Sequence, residues 1–296
     1  MTTKKFSKLI ALCLGFIVAL SFMVVGNLKT KTNTVNAEEV SHTETIYYGN
    51  HYGNSDYSCT NVVEEITYAS CVETNDFLSG SFPANFKNDY DITNACTPVA
   101  ASNIVNFYDR WYDNLIENCI AGAMLNTGIY YYFPMAYQTA TKDQLIRDLY
   151  NLMGTNTEHA GTSKAQYNNG FTTYVQNQGY NISYTNCETN GTFNFETYKN
   201  MITQGKPVAL FLIGYNLTEI GTNEDENLVV FSKNEYVTNH VVVGYGYRHY
   251  KFYDENNNLI SEKIALAVSC GLEIGNCYYI LNNNGTLEDA EAVYIY

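Results

Sequence analysis

Cys96 and His240 are the two residues whose types and surroundings offer covalent chemistry. Cys96 stands directly before an apolar pattern of helical period, in which Ile104, Phe107, Tyr108, Trp111 and Leu115 recur. Thr97 is expected to cap this helix, with Pro98 at a position where a missing N–H costs nothing. At a helix entrance the unsatisfied N–H groups and the positive dipole end favour the thiolate, the nucleophilic form of cysteine. His240 lies in Asn239-His-Val-Val-Val-Gly-Tyr-Gly-Tyr247, a strand-forming run. Strand alternation puts His240, Val242, Gly244 and Gly246 on one face, leaving room for another group beside the imidazole. Either residue alone also fits a structural role: a helix-entry thiol or half of a disulfide, and a core histidine. Together they fit a nucleophile and its base.

Elements that position these two residues follow from the patterning. After the helix that opens at Cys96, a second is expected from about Lys142 to Met153, with Gly154 as its stop. A third covers roughly Thr162 to Gln178, and a fourth runs around Phe195 to Gln204, with Gly205 and Pro207 beyond it. From Pro207 onward the chain reads as strands: Val208–Ile213, Leu228–Phe231, Tyr236–Tyr247, Tyr250–Tyr253, Lys263–Val268, Cys277–Leu281 and Ala292–Tyr296. Asp254-Glu-Asn-Asn-Asn258 reads as a hairpin turn. The expected class is α+β: a helical N-terminal half with Cys96 at a helix start, packed on an antiparallel sheet that carries His240. Residues 38–85 are Tyr-, Ser- and Asn-rich, with short β-like pieces at Thr45–Tyr48 and Val62–Tyr68. They are expected as an N-terminal extension, either a pro-segment or an edge ribbon on the main domain, and 86–296 as the main domain.

The segment Asn94-Ala-Cys-Thr-Pro-Val-Ala-Ala-Ser-Asn103 resembles the nucleophile segment of the papain-like cysteine peptidase clan. It is most similar to the bacteriocin-leader (double-glycine) peptidase-like branch, where a Cys-x-Pro-x-Ala stretch opens the central helix. Gly161-Thr162, Gly170 to Tyr174 and Gln204-Gly-Lys-Pro-Val208 also look like that branch, and His240 with its Val-Val-Val-Gly-Tyr matches its histidine strand. The separation of 144 residues lies in the papain-type range. The resemblance covers about residues 86–296. It implies Cys96 as nucleophile and His240 as the base that then protonates the leaving amine, with acyl transfer from a peptide or amide carbonyl to water through a thioester.

Two departures from the family pattern stand out. The family usually places an Asp or Asn on the strand after the histidine, to hold the imidazole tautomer. Here Val268, Ser269 or Cys270 falls in that register, while Asn282 to Asn284 come later and with Gly285 read as a turn. The family's oxyanion donor is generally a Gln before the Cys. The nearby amides here are Asn88 and Asn94, and Asn94 is the candidate, beside the Cys96 backbone N–H.

At the N-terminus, Lys4, Lys5 and Lys8 precede an apolar run from Leu9 to Val25, and Val35-Asn36-Ala37 reads as a cleavage site. The apolar run alone would also fit an uncleaved membrane anchor, but the Val-x-Ala site favours cleavage, so residues 1–37 are expected as the signal peptide of an exported, bacterial-type protein released outside the cell. Loss of the leader, which holds five basic residues and no acid, takes the formal charge from −14 to about −19. Such a chain repels phosphate backbones, so no nucleic-acid partner is expected. No second apolar run suggests a membrane span. Without Cys13, seven cysteines remain, an odd number that leaves one thiol unpaired in an oxidising compartment. Cys59/Cys71 and Cys270/Cys277 could close short loops, with Cys119/Cys187 left over. That grouping singles out Cys96 as the free thiol, although connectivity does not follow from sequence.

His42, His51, His159 and His249 read as surface residues, and the acid cluster Asn223–Asn227 as a solvated loop. No metal motif and no cofactor motif is present. The leading reading is a secreted cysteine peptidase acting on a peptide or protein substrate. Its alternative is a catalytically weak or inactive papain-like domain that binds a peptide or cell-wall component. A compact Cys/His peptidoglycan amidase fits less well, because of the long helical insertion between Cys96 and His240.

Overall fold

A computed structural model describes residues 37–48, 57–79, 82–83, 92–112, 114–116, 123–124, 130–131, 139–272, 277–281 and 287–296. The expected leader up to residue 36, and with it Cys13, lies outside these residues. So do His51, Asn88, Cys119 and Asn282 to Asn284.

Three strands come first: β1 (Glu38–Tyr48), β2 (Tyr57–Thr67) and β3 (Ser70–Phe77). Helix α1 (Cys96–Asp109) follows, then the two-residue strands β4 (Ala123–Met124) and β5 (Tyr130–Tyr131), α2 (Thr139–Leu152) and α3 (Lys164–Asn177). Next are β6 (Ile182–Asn186), the short ladder of β7 (Glu188–Thr189) with β8 (Thr192–Phe193), and α4 (Phe195–Thr203). The chain then runs through β9 (Val208–Asn223), β10 (Leu228–Tyr253), β11 (Leu259–Ser269), β12 (Cys277–Ile280) and β13 (Leu287–Ile295).

This order corrects the expected α+β arrangement. Among the described residues the protein is mostly antiparallel sheet, dominated by one nine-stranded sheet, and no helical N-terminal half is packed on it. The extra strands escape the sequence pattern for a physical reason. In β1 to β3 most described side chains are exposed or half-buried, and many are Glu, Thr, Ser or Asn, so the apolar alternation that marks a half-buried strand is missing. These strands pair into the same sheet: β1 with β2, and β2 and β3 each with β10.

The organising element is β10, 26 residues long, where the sequence suggested three separate strands. Its first part, Leu228–Glu235, lies between β2 and β9; its last part, Gly246–Tyr253, lies between β3 and β11. Since β11 pairs β12, β12 touches β9, and β9 returns to β10, the pairings form a closed circuit. Two irregularities bend β10: one between Tyr236 and Asn239 against β9, the other between Gly244 and Gly246 against β11. The second breaks the simple alternation expected along His240–Gly246. The room left by the two glycines is already filled. A Cβ on Gly244 would meet the Tyr198 ring, and one on Gly246 would meet Phe77 and the Asp76 carbonyl. Tyr198 also donates its hydroxyl to the Gly246 carbonyl at 2.9 Å. Beyond β10, Asp254 to Asn258 close the turn to β11, with Asp254 Oδ1 accepting from the amides of Asn256 and Asn258.

Helix α1 is the inner helix: every residue from Thr97 to Asp109 is buried. Its apolar side chains join Leu210 and Leu212 of β9, Val242 of β10 and Val293 of β13 in the main core. Full burial of such aliphatic and aromatic groups contributes about 1.5–3 kcal/mol each. Tyrosines tie the helix to the sheet. Tyr108 donates to the Val293 carbonyl at 2.8 Å and Tyr112, just beyond the helix, to the Ile295 carbonyl at 2.9 Å. Helix α3 starts with a Ser163/Gln166 capping box, and Asn194 caps α4.

At Gly170, α3 packs tightly against Met153, just past the end of α2. A Cβ there would sit 2.5 Å from the Met153 backbone nitrogen. In an open helix Gly→Ala stabilises by roughly 1 kcal/mol. Here Gly170→Ala is expected to destabilise by about 1–3 kcal/mol through overpacking. Gly221→Ala on β9, with nothing within 4 Å of the added carbon, is expected to stay within about 0.5 kcal/mol of wild type. Denaturant unfolding of the two variants checks the contrast.

Candidate active site

The turn that delivers the thiol is built first. Asn94 has φ 52°, a left-handed conformation that Asn tolerates better than most residues. Ala95 then takes the N-cap position with no side-chain cap, and Cys96 is the first helical residue. The expected capping role of Thr97 is therefore not what forms. Pro98 falls third in the helix, where its missing N–H is still one that the helix leaves unpaired. The lead-in is held from the side by Asn156, in the loop after α2. Its amide donates to the Thr93 carbonyl at 3.1 Å and its Oδ1 accepts from Asn94 Nδ2 at 2.9 Å and from the Gly161 amide at 2.7 Å.

His240 is placed by β10, opposite Leu212 of β9 and just past the irregularity at Tyr236–Asn239. Its ring is buried and stacks on Tyr215 with centroids 4.6 Å apart, while Tyr215 stacks in turn on Tyr236 at 4.6 Å. His240 Nε2 lies 2.7 Å from the backbone carbonyl oxygen of Cys270. A carbonyl can only accept, so Nε2 carries the hydrogen of this contact, and Nδ1 is the nitrogen left to face the thiol.

Cys96 and His240 are in side-chain hydrogen-bonding contact, and each moves the other's protonation. Burial pushes the Cys96 thiol up. The hydrogen bond and charge of His240, joined by the Val241 backbone amide and the Thr97 side chain, outweigh that and hold the thiol below its ordinary value. Burial likewise pulls the His240 imidazole down. The hydrogen bond and charge of Cys96, then the Cys270 carbonyl, outweigh it and raise the imidazole above its ordinary value. Opposite shifts of this kind favour a thiolate beside an imidazolium. Cys96 as a whole residue is only partly buried, while its thiol feels a strong burial effect.

Of the residues singled out in the sequence, the structure brings Cys96 and His240 together. Asn94 lies two residues from Cys96, exposed, with one amide hydrogen given to Asn156. In the register after the histidine, the group that meets the imidazole is the backbone oxygen of Cys270, which no reading of side-chain types can reveal. Thr97, Val241, Tyr215 and Asn156 were missed as parts of the site. Asn156 alone left a trace, in a Gly154-to-Gly161 stretch rich in turn residues. His249, expected at the surface, is half-buried against Glu262 Oε1 at 2.6 Å, whereas His42 and His159 are exposed. Among the described residues, no group of three or more His, Cys, Asp or Glu converges as metal ligands would.

Comparison with curated proteins and with solved structures found no match. The sequence pattern of the Peptidase_C39 like family matches residues 79–263, a span that includes both Cys96 and His240. With more than half of the chain matched, this protein belongs to the Peptidase_C39 like family and is related to the papain-like cysteine peptidases.

Proposed function

We propose that the chain is an exported cysteine peptidase in which Cys96 attacks a peptide carbonyl and His240 transfers the proton. The observation that carries this reading is the contact between a thiol held low at a helix entrance and a buried imidazole held high. Family membership supports the coarser statement, a cysteine peptidase-like function with a peptide or protein substrate.

In the reaction the Cys96 thiolate adds to the carbonyl carbon, and the carbonyl π electrons move onto oxygen. The developing oxyanion needs donors, and the Cys96 backbone N–H at the helix entrance is one. Asn94, two residues before the thiol, is the nearest side-chain amide to supply a second. As the tetrahedral centre collapses, the C–N bond breaks and the imidazolium of His240 gives its proton to the leaving nitrogen. A thioester remains. Neutral His240 then takes a proton from water, whose oxygen attacks the thioester and releases the acid. Throughout, the Cys270 carbonyl holds the Nε2 hydrogen, and with it the ring orientation. This is the work done in the resembling family by an Asp or Asn side chain. A neutral carbonyl stabilises the imidazolium less than a carboxylate does. Export rests on the basic n-region, apolar run and Val-x-Ala site of residues 1–37. Among the described residues no helix is long and apolar enough to cross a membrane.

A peptide-library cleavage screen tests the reading. Cleavage is expected with wild type and is expected to fall by about 10³-fold or more in Cys96→Ala and in His240→Ala. Cleavage that survives in both variants would place the chemistry elsewhere. The pH profile of kcat/KM should be bell-shaped. Its acid limb, set by thiolate formation, should lie below the ordinary thiol value of about 8.5, and its alkaline limb, where imidazolium is lost, above the ordinary imidazole value of about 6.5.

The clamp on the nucleophile turn gives a separate expectation. Asn156 has φ 64°, so Asn156→Gly keeps the backbone while removing the clamp, and Asn156→Ala adds strain as well. Both variants are expected to lower turnover, with Ala about 1 kcal/mol less stable than Gly. Turnover unchanged in both would show that the Thr93–Asn94 lead-in needs no support.

A further inference from the structure

The residue whose carbonyl orients His240 also carries a thiol, and that thiol has a partner. Cys270 directly follows β11 and Cys277 opens β12, with Cys277 opposite Val268 in the pairing register. Cys277 Sγ lies 3.4 Å from the Val268 carbonyl oxygen, and the Cys270 and Cys277 thiols are in side-chain hydrogen-bonding contact. Both residues are buried. Other cysteines are placed differently. Cys59 contacts Tyr236 at one end of β2, whereas Cys71 sits opposite Phe252 beyond its other end. The register therefore separates the Cys59/Cys71 pair that sequence proximity suggested.

We propose that Cys270 and Cys277 form a disulfide as the exported chain folds, and that this bond fixes the Cys270 carbonyl that orients His240. The second half of the proposal rests on the peptidase reading for what His240 does.

The step balances as thiol–disulfide exchange with an external disulfide, either glutathione disulfide or the active-site disulfide of an oxidoreductase. One thiolate attacks the external S–S bond and a mixed disulfide forms. The second thiol displaces the reduced partner, so the Cys270–Cys277 bond gains what the oxidant's bond loses. Two electrons and two protons leave with the oxidant as two thiols. Because the pair is enclosed in the folded protein, the exchange belongs to folding, before β11 and β12 close over it. The hydrogen bond to Cys270 and burial push the Cys277 thiol far above its ordinary value.

The link to His240 is mechanical. Cys270 lies past the last residue of β11, where the ladder no longer holds its carbonyl. A covalent tie to Cys277 joins it to β12, which is paired to β11 and touches β9, the strand opposite His240. A carbonyl fixed by its own backbone can then do what a packed Asp or Asn side chain does elsewhere.

The test uses the full chain recovered after export from a bacterial host, one sample untreated and one unfolded, reduced and refolded in the presence of a thiol reductant. Peptide mapping is expected to find Cys270 joined to Cys277 in the untreated sample, with two fewer titratable thiols than in the reduced one. His240 is then titrated through its ring proton resonances in both samples and in Cys277→Ser, with thermal unfolding to confirm that the variant is folded. Because the Cys270 carbonyl raises the imidazole, the oxidised form should titrate at higher pH, with a protonation constant about threefold larger. Cys277→Ser should match the reduced form. Two free thiols in the untreated sample would overturn the proposal, as would a linked pair with identical His240 titrations. Neither readout uses cleavage. A linked pair with shifted His240 but no peptide turnover would therefore count against the peptidase reading while supporting this one.

Discussion

Burial acts against both charges at this site, because desolvation raises a thiol's pKa and lowers an imidazole's. A thiolate and an imidazolium would persist there only by facing each other. The pair must therefore be assembled from elements 144 residues apart and kept in contact. Much of the architecture can be understood as meeting that demand. Helix α1 is buried along nearly its whole length, so its entrance cannot drift relative to the sheet. Tyr108 and Tyr112 anchor it to β13, and Asn156 anchors the turn that precedes it. On the other side, β10 is gripped by four strands, and its irregularity beside His240 turns the imidazole onto the Tyr215–Tyr236 stack.

A backbone oxygen as the third member of the site has consequences that a carboxylate would not. It can neither titrate nor rotate away from its own chain, so it accepts from His240 at any pH. Its precision is that of the strand end that carries it. The site is thereby coupled to the end of β11, where Cys270 lies.

How much of this was legible in the sequence depends on where the information sits. Cys96 before a helical pattern and His240 in a strand-forming run were readable because period and residue type encode them locally. The capping box of α3 was written in Ser163 and Gln166. The class of the fold was misread because β1 to β3 are largely solvated ribbons whose polar side chains carry no alternation, although their backbones pair into the main sheet. The continuity of β10 was hidden by bulges and by polar residues between Ser232 and Asn239. Gly244 and Gly246 do mark space for an approaching group in the sequence, but only the structure shows that Tyr198 and Phe77 fill it. The contact with the Cys270 carbonyl was not legible, since every residue has a carbonyl and only tertiary structure selects one.

The ion pair is the claim on which the functional account stands, and thiolate ultraviolet absorbance measures it without any substrate. The pH dependence is taken as the difference between wild type and Cys96→Ser, then repeated in a His240→Ala background. The account predicts a Cys96 thiolate that forms well below the ordinary thiol value of about 8.5 and shifts upward when His240 is removed. A thiolate appearing only near or above that value, unmoved by the loss of His240, would contradict it.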